Sequence, residues 1–229
     1  YEIENTLQKP YLGISLADRP QRILVDFSSP NTAKEMHVGH LRSTIIGDCL
    51  ARVFSYLGHV VVRLNHIGDW GTAFGMLLAH LKERHPEVLE GKEKTDLSHL
   101  AAWYKESKKR FDESPDFKRR SQQEVVLLQS GNPQSLAGWR LICGISKEAY
   151  QEIYDVLGVD LEERGESFYN SLLPQIVRDL EKKGLLVESE GAKCCFVEGF
   201  TSKEGTPLPL ILQKTDGGYT YDTTDMAAL

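Results

Sequence analysis

Ile23-Leu24-Val25-Asp26-Phe27-Ser28-Ser29-Pro30-Asn31-Thr32-Ala33-Lys34-Glu35-Met36-His37-Val38-Gly39-His40 is the stretch on which the reading of the fold turns. Its first five residues form a short β-prone run, and Ser28-Ser29-Pro30-Asn31 supplies the turn chemistry that ends it. From Val38 onward, Leu41, Ile45, Cys49, Val53 and Leu57 recur at three or four residues, with Ile46, Leu50 and Phe54 widening the apolar stripe. That is the period of a helix, which Gly58 ends. Val60-Val61-Val62-Arg63-Leu64 reads as a second, buried-type strand. Asn65 to Gly71 is then a polar turn into an apolar helix through Phe74, Met76, Leu77, Leu78 and Leu81. Strands separated by single helices predict an α/β fold whose parallel sheet has right-handed crossovers and binds ligands at the carboxyl ends of its strands. Asn31 to His40 and Asn65 to Gly71 both lie at such ends.

Downstream the pattern changes. Leu97 to Leu157 reads as three mostly polar helices, with breaks near Ser114-Pro115 and Gly131-Asn132-Pro133. Another helix, Leu172 to Lys183, stops at Gly184. Short strands follow around Leu185 to Val187, Lys193 to Val197 and Leu208 to Gln213, with turns at Glu190-Gly191 and Asp216-Gly217-Gly218. This α+β region reads as an insertion that delays the return to the parallel sheet, and the return is expected at Tyr219-Thr220-Tyr221. No internal repeat or low-complexity stretch interrupts the pattern.

With 229 residues, 41% hydrophobic and 26% charged, the chain has ordinary globular composition and can bury a sizeable core. A net charge of -6 argues against a generally basic nucleic-acid sleeve. Lys105, Lys108, Lys109 and Arg110, with Lys118, Arg119 and Arg120, form either a local basic surface or a solvated helix face. Cys49, Cys143, Cys194 and Cys195 lack the C-x-x-C spacing of a zinc site or redox pair, which points to reduced cytosolic thiols. No apolar run approaches the roughly 20 residues that span a bilayer, and no signal peptide opens the chain. A soluble, cytoplasmic protein is the expectation. The first residue is Tyr1 and the last, Leu229, falls inside what reads as a starting helix, so a piece of a longer protein is expected.

Two imidazoles around a glycine at a helix start suit the phosphates and adenine of ATP. Gly39 permits close approach of a flat base, and the first amides of a helix carry positive partial charge. His37 and His40 can donate hydrogen bonds to phosphate oxygens, stabilising charge in an in-line attack at the α-phosphorus. On these four residues alone, two polar residues at a helix start are the favoured reading. A zinc pair lacks Cys and acidic partners at ligand spacing.

The longer run Asp26 to Ser43 closely resembles the signature of class I arginyl-tRNA synthetases. Asn65-His66-Ile67-Gly68-Asp69-Trp70-Gly71-Thr72 is similar to that family's second loop, and Tyr219-Thr220-Tyr221-Asp222-Thr223-Thr224-Asp225 to a later one. Glu163-Arg164-Gly165-Glu166-Ser167-Phe168-Tyr169 stands between them in family order, without an assigned contact. The resemblance implies the first half of a Rossmann-like catalytic domain of the class I synthetase type, residues 1–88. It further implies an inserted connective subdomain over 89–215 and a truncated return to the catalytic domain over 216–229.

The implied activity is adenylation of L-arginine by ATP, with pyrophosphate leaving, then transfer to tRNA(Arg); Mg²⁺ is expected to accompany the ATP phosphates. By the same resemblance His37, His40 and Lys34 are catalytic, Lys34 standing in for a lysine of the second class I signature. His37, Gly39, His40, Gly68 and Asp69 shape the ATP side. Asp26, Asn31, Tyr221 and Asp225 hold arginine. A guanidinium needs carboxylates with an aromatic or hydroxyl contact, and Tyr221 and Asp225, four apart, share a face if a helix begins there. Outside the resemblance, Lys34 reads as a solvated loop lysine, Asn31 as a turn residue, Asp225 as a helix-start acid and Tyr221 as core.

Two rivals remain open: a small adenylyltransferase with an H-x-G-H helix start, and a non-catalytic binding module on the same fold. Oligomeric state is not legible. The family's second signature loop and anticodon-binding domain have no counterpart in these residues, so the segment alone is expected to have little activity.

Overall fold

Ile23 and Val25 turn inward from strand β1 (Arg22–Asp26) while Leu24 stays exposed, the alternation of a strand covered on one face. The structure is a computed structural model that describes residues 1–215 and 217–229. Residue 216, with its part of the expected 216–218 turn and the expected boundary there, lies outside the described residues. The chain divides into two compact units, Tyr1–Arg164 and Gly165–Leu229.

In the first unit a short helix α1 (Glu2–Leu7) precedes β1; then come α2 (Val38–Tyr56), β2 (Val60–Asn65), α3 (Thr72–Arg84) and the single turn α4 (Pro86–Leu89). Helices α5 (Leu97–Glu113), α6 (Pro115–Gln129) and α7 (Pro133–Leu157) follow, and β3 (Glu162–Glu163) closes the unit. Strands β1 and β2 are parallel, Arg22 opposite Val60 and Asp26 opposite Leu64. β3 adds a third parallel strand, Asn65 opposite Glu163.

The breaks expected near Ser114-Pro115 and Gly131-Asn132-Pro133 are where α6 and α7 begin. Each start has proline at the first helical position, with the Ser114 or Asn132 side chain accepting a hydrogen bond from the first turn. These helices read as polar because each contributes only one apolar stripe. The stripes surround α3, which is buried from Phe74 through Leu81. Leu77, Leu78 and Leu81 pack there with Leu100, Leu128 and Ile142. The charged faces turn outward and neutralise one another. Arg110 and Arg120 bind Glu83, Lys108 binds Asp112 and Arg119 binds Asp116, so much of the candidate basic surface is a paired, solvated helix face.

Two sequence expectations are corrected here. The apolar stripe of α2 is not its buried face: Ile45, Ile46, Leu50 and Val53 are exposed, while Thr44, Gly47, Asp48 and Ala51 face inward. The small side chains of that inner face accommodate Phe27, and Asp48 accepts a hydrogen bond from Arg52. Nor do Tyr219-Thr220-Tyr221 form the returning strand. The chain rejoins the parallel sheet earlier, at Glu162–Glu163, two charged residues without a β-like pattern.

The second unit contains a 3₁₀ turn (Glu166–Tyr169), α8 (Leu173–Lys182), the antiparallel strands β4 (Val187–Ser189), β5 (Ala192–Thr201) and β6 (Pro207–Gln213), and α9 (Tyr221–Ala228). Val177, Leu180 and Leu212 form its core. Tyr219 makes an isolated antiparallel bridge to Gln213, and Tyr221 already opens α9. The hydroxyls of Thr220 and Thr223 donate to the Ile211 and Leu212 carbonyls of β6, pinning the start of α9 to that strand. All four cysteines are free thiols. Among the described residues no helix is long and apolar enough to cross a membrane.

Leu78, fully buried between α3 and the helices around it, tests this packing. Leu78→Ala is expected to lower unfolding free energy by about 2 to 5 kcal/mol, measured as a shift of the urea midpoint. A shift under about 0.5 kcal/mol, the level of a surface substitution, would contradict a tightly packed α3.

Candidate active site

The loop from β1 to α2 is stitched to the turn that follows β2. Gly68 N–H donates to the Pro30 carbonyl at 3.1 Å, and the Thr32 N–H and hydroxyl both donate to the Gly68 carbonyl, at 3.1 and 2.8 Å. Asn31 and Gly68 therefore bridge as parallel strands do. A Cβ on Gly68 would lie 2.2 Å from Asn31 Oδ1, so only glycine leaves the Asn31 side chain its place. Gly68, expected on the nucleotide side, thus abuts a residue expected to hold the amino acid.

Ser28, Ser29 and Ala33 have φ of 72°, 48° and 58°. Left-handed backbone costs an L-residue about 1 to 2 kcal/mol each, so other contacts must hold the loop. Several come from α7. The Tyr150 hydroxyl lies 2.7 Å from both the Asn31 and Lys34 carbonyl oxygens and donates to them. Ser146 Oγ accepts from Ala33 N–H at 2.9 Å. Asn65 Nδ2 donates to the Tyr154 hydroxyl at 3.2 Å, and that hydroxyl pairs with Ser28 Oγ at 2.7 Å. Asn65 Oδ1 accepts from Ser29 N–H at 2.9 Å. Trp139 Nε1 donates to the carbonyl of buried Asp69 at 2.7 Å.

At the start of α2 the two histidines cap the helix reciprocally. His37 Nδ1 accepts from Gly39 N–H, and His40 Nδ1 accepts from His37 N–H, each at 3.1 Å. Their rings stack with centroids 3.9 Å apart. A ring nitrogen that accepts carries no proton, so each neutral ring keeps its hydrogen on Nε2. One N–H donor per histidine is left over for a ligand. A Cβ on Gly39 would sit 2.9 Å from His37 Cε1, so this glycine makes room for the imidazole itself. Burial first, then the positive charges of His37 and Lys34, hold the His40 pKa below the usual histidine value.

Lys34 places its ammonium 4.8 Å from the centre of the Tyr104 ring on α5, a cation–π contact. Asp26, exposed at the end of β1, accepts a hydrogen bond from Ser29 Oγ at 3.1 Å. Asp26, Asn31, Lys34, His37, Gly39, His40, Gly68 and Asp69 are thus brought to the carboxyl ends of β1 and β2 in the first unit. Tyr221 and Asp225 belong to the second unit, where both are exposed on α9. Among the described residues no group of three or more His, Cys, Asp or Glu side chains could hold a metal ion.

A family model described as tRNA synthetases class I (R), catalytic domain, matches residues 2–229. The chain belongs to the class I arginyl-tRNA synthetases. It is 63% identical over 223 residues to an arginine–tRNA ligase of Protochlamydia amoebophila strain UWE25, covering 97% of this chain and 38% of that protein. To the arginine–tRNA ligase of Cyanothece sp. strain PCC 7425 it is 59% identical over 228 residues, covering 100% of this chain and 39% of that one. The crystal structure of the Plasmodium falciparum arginyl-tRNA synthetase superposes with a TM-score of 0.77 and 43% identity, covering 90% of this chain and 34% of that one. The Thermus thermophilus enzyme, at 23% identity, shares the fold: its TM-score is 0.64, with 99% of this chain and 38% of that one covered. The chain spans a little over a third of the length of these relatives.

Within this synthetase fold, the side chains that reading from sequence missed are Asn65, Trp139, Ser146, Tyr150 and Tyr154. A signal existed. Ser146, Tyr150 and Tyr154 stand four residues apart on one helix, so they share one face.

The His40 environment predicts a titration. In histidine-resolved NMR its midpoint should fall below about 6.5 and rise in Lys34→Gln, which removes one of the positive charges. Because the folded chain disfavours imidazolium at this position, the associated stability is present above the unfolded pKa and is lost as pH falls through the lowered one. A midpoint that ignores Lys34→Gln would exclude that lysine as a cause.

Proposed function

We propose that these residues are part of an arginine–tRNA ligase that activates L-arginine with ATP and passes it to tRNA(Arg). The observation that carries this reading is the reciprocal cap of α2, which leaves two imidazole N–H donors at a helix start near Lys34. Helix start, imidazoles and ammonium together suit a polyphosphate whose charge grows as pyrophosphate departs.

In this reading the arginine carboxylate attacks the α-phosphorus, the bond to pyrophosphate breaks, and arginyl-adenylate forms. A terminal ribose hydroxyl of tRNA(Arg) then attacks the adenylate carbonyl and releases AMP. His37, His40 and Lys34 stabilise phosphate charge, with Gly39 and Asp69 shaping the ATP side and Gly68 aligning Asn31. Asn31 holds the polar end of the amino acid. Asp26, Tyr221 and Asp225 read its guanidinium, for which two carboxylates and a phenol are matched partners. Mg²⁺ travels with the ATP: the protein groups offered to the phosphates are donors, which suit phosphate oxygens and not a cation.

Residues 1–88 then belong to the nucleotide-binding half-domain, which regains a strand at Glu162–Glu163, and the helices α5 to α7 between them belong to a connective insertion that folds against α3. Pyrophosphate exchange tests the reading, on a chain of the relatives' full length with arginine, ATP and cognate tRNA. Exchange should depend on arginine and not on other amino acids; adenylation of another substrate with indifference to arginine would sink it. In the same protein, Asp225→Ala should weaken arginine binding by about 1.5 to 3 kcal/mol, the value of a hydrogen bond to a charged group. Unchanged arginine affinity would remove Asp225 from the pocket.

A further inference from the structure

We infer that Tyr150 of α7, assisted by Tyr154 and Ser146, is a positioning residue for arginine activation: it fixes the backbone that aims Asn31 and Lys34 at the substrates. This rests on the proposed roles of Asn31 and Lys34. The loop is unlike an ordinary turn in that left-handed residues stand both before and after Asn31. On the α7 side a small cleft, lined by residues that include Thr32, Asn65, Tyr150, Tyr154 and Glu163, adjoins it. Ser28, Thr32 and Ala33 are buried, and hydrogen bonds from α7 add to that packing.

Those bonds are placed at intervals along the loop. Tyr154 holds Ser28 and, through Asn65, the Ser29 amide; Ser146 holds the Ala33 amide; Tyr150 holds the carbonyls of Asn31 and Lys34 with one shared proton. The last is the decisive one. The Asn31 and Lys34 carbonyls bracket the turn through Ala33, so a single hydroxyl sets the distance between the residue proposed to hold the amino acid and the one proposed to touch phosphate. Tyr150 is buried on a helix packed into the α3 core, so the hydroxyl has a rigid mount. Asn65 extends the same control to the end of β2, where Gly68 meets Asn31. The connective helices thus act as the template on which the strand-to-helix loop is shaped.

Tyr150→Phe tests this by deleting one oxygen while keeping the ring in the core. Two readouts are needed, both on a full-length chain. Hydrogen–deuterium exchange should quicken at residues 28–34 and stay unchanged in α3, with melting temperature nearly constant. Arginine-dependent pyrophosphate exchange should lose about 10- to 100-fold in kcat/KM, the scale of a roughly 1 Å misplacement of reacting groups. Tyr154→Phe should reproduce the effect in weaker form. Unchanged loop exchange, or unchanged kcat/KM despite a loosened loop, would overturn the proposal, as would a loss explained wholly by a lowered melting temperature. If the unsubstituted protein lacks arginine-dependent exchange, the functional reading fails, while the hydrogen-exchange arm still decides whether Tyr150 shapes the loop.

Discussion

Three left-handed, non-glycine residues between β1 and α2 impose the constraint on which this site depends. A strand delivers Asp26 and a helix receives His37, and neither element alone can hold Ser28, Ser29 and Ala33 in conformations that their side chains disfavour. The stabilising contacts come from two sides. Gly68 contributes backbone hydrogen bonds from the turn after β2, and α7 contributes hydroxyls. The strain and its compensation together place Asn31, Lys34 and His37 where a relaxed turn would not.

The same economy of groups governs the helix start. Each histidine spends Nδ1 on the cap and retains an Nε2 donor. Capping and ligand recognition are therefore compatible only while the rings are neutral, because protonation would turn each acceptor into a donor facing an amide. Burial and neighbouring positive charge keep His40 in the neutral form. At His40, stability of the helix start and readiness for phosphate thus respond to one protonation state.

Much of the fold was legible because it is written locally. The alternation around Val25, the three-to-four spacing after Val38, and the prolines at 115 and 133 each act through their immediate neighbours, and the observed elements follow them. Failures occurred where local signals competed with long-range ones. The exposed Ile45, Ile46, Leu50 and Val53 revealed the helix but not its inner face, which small residues form because Phe27 needs room there. β3 is two glutamates, with no pattern to betray a strand. Tyr219 resembled a strand and pairs antiparallel with its own hairpin, since the Thr220 and Thr223 hydroxyls anchor the next helix on β6.

For the candidate site, the order of residue types along the chain is what proposes His37, Gly39, His40, Lys34 and Asn31, because motif chemistry depends on identity and spacing. Tyr150 could not be found that way. Its hydroxyl meets the Asn31 carbonyl across 119 positions of sequence, and helical periodicity says which residues share a face without saying what that face meets. The sequence by itself determined the strand–loop–helix order and the donors and acceptors available. Only the tertiary structure decided which of them are used to hold the loop and which are left for a ligand, because that division depends on contacts between segments brought together by folding.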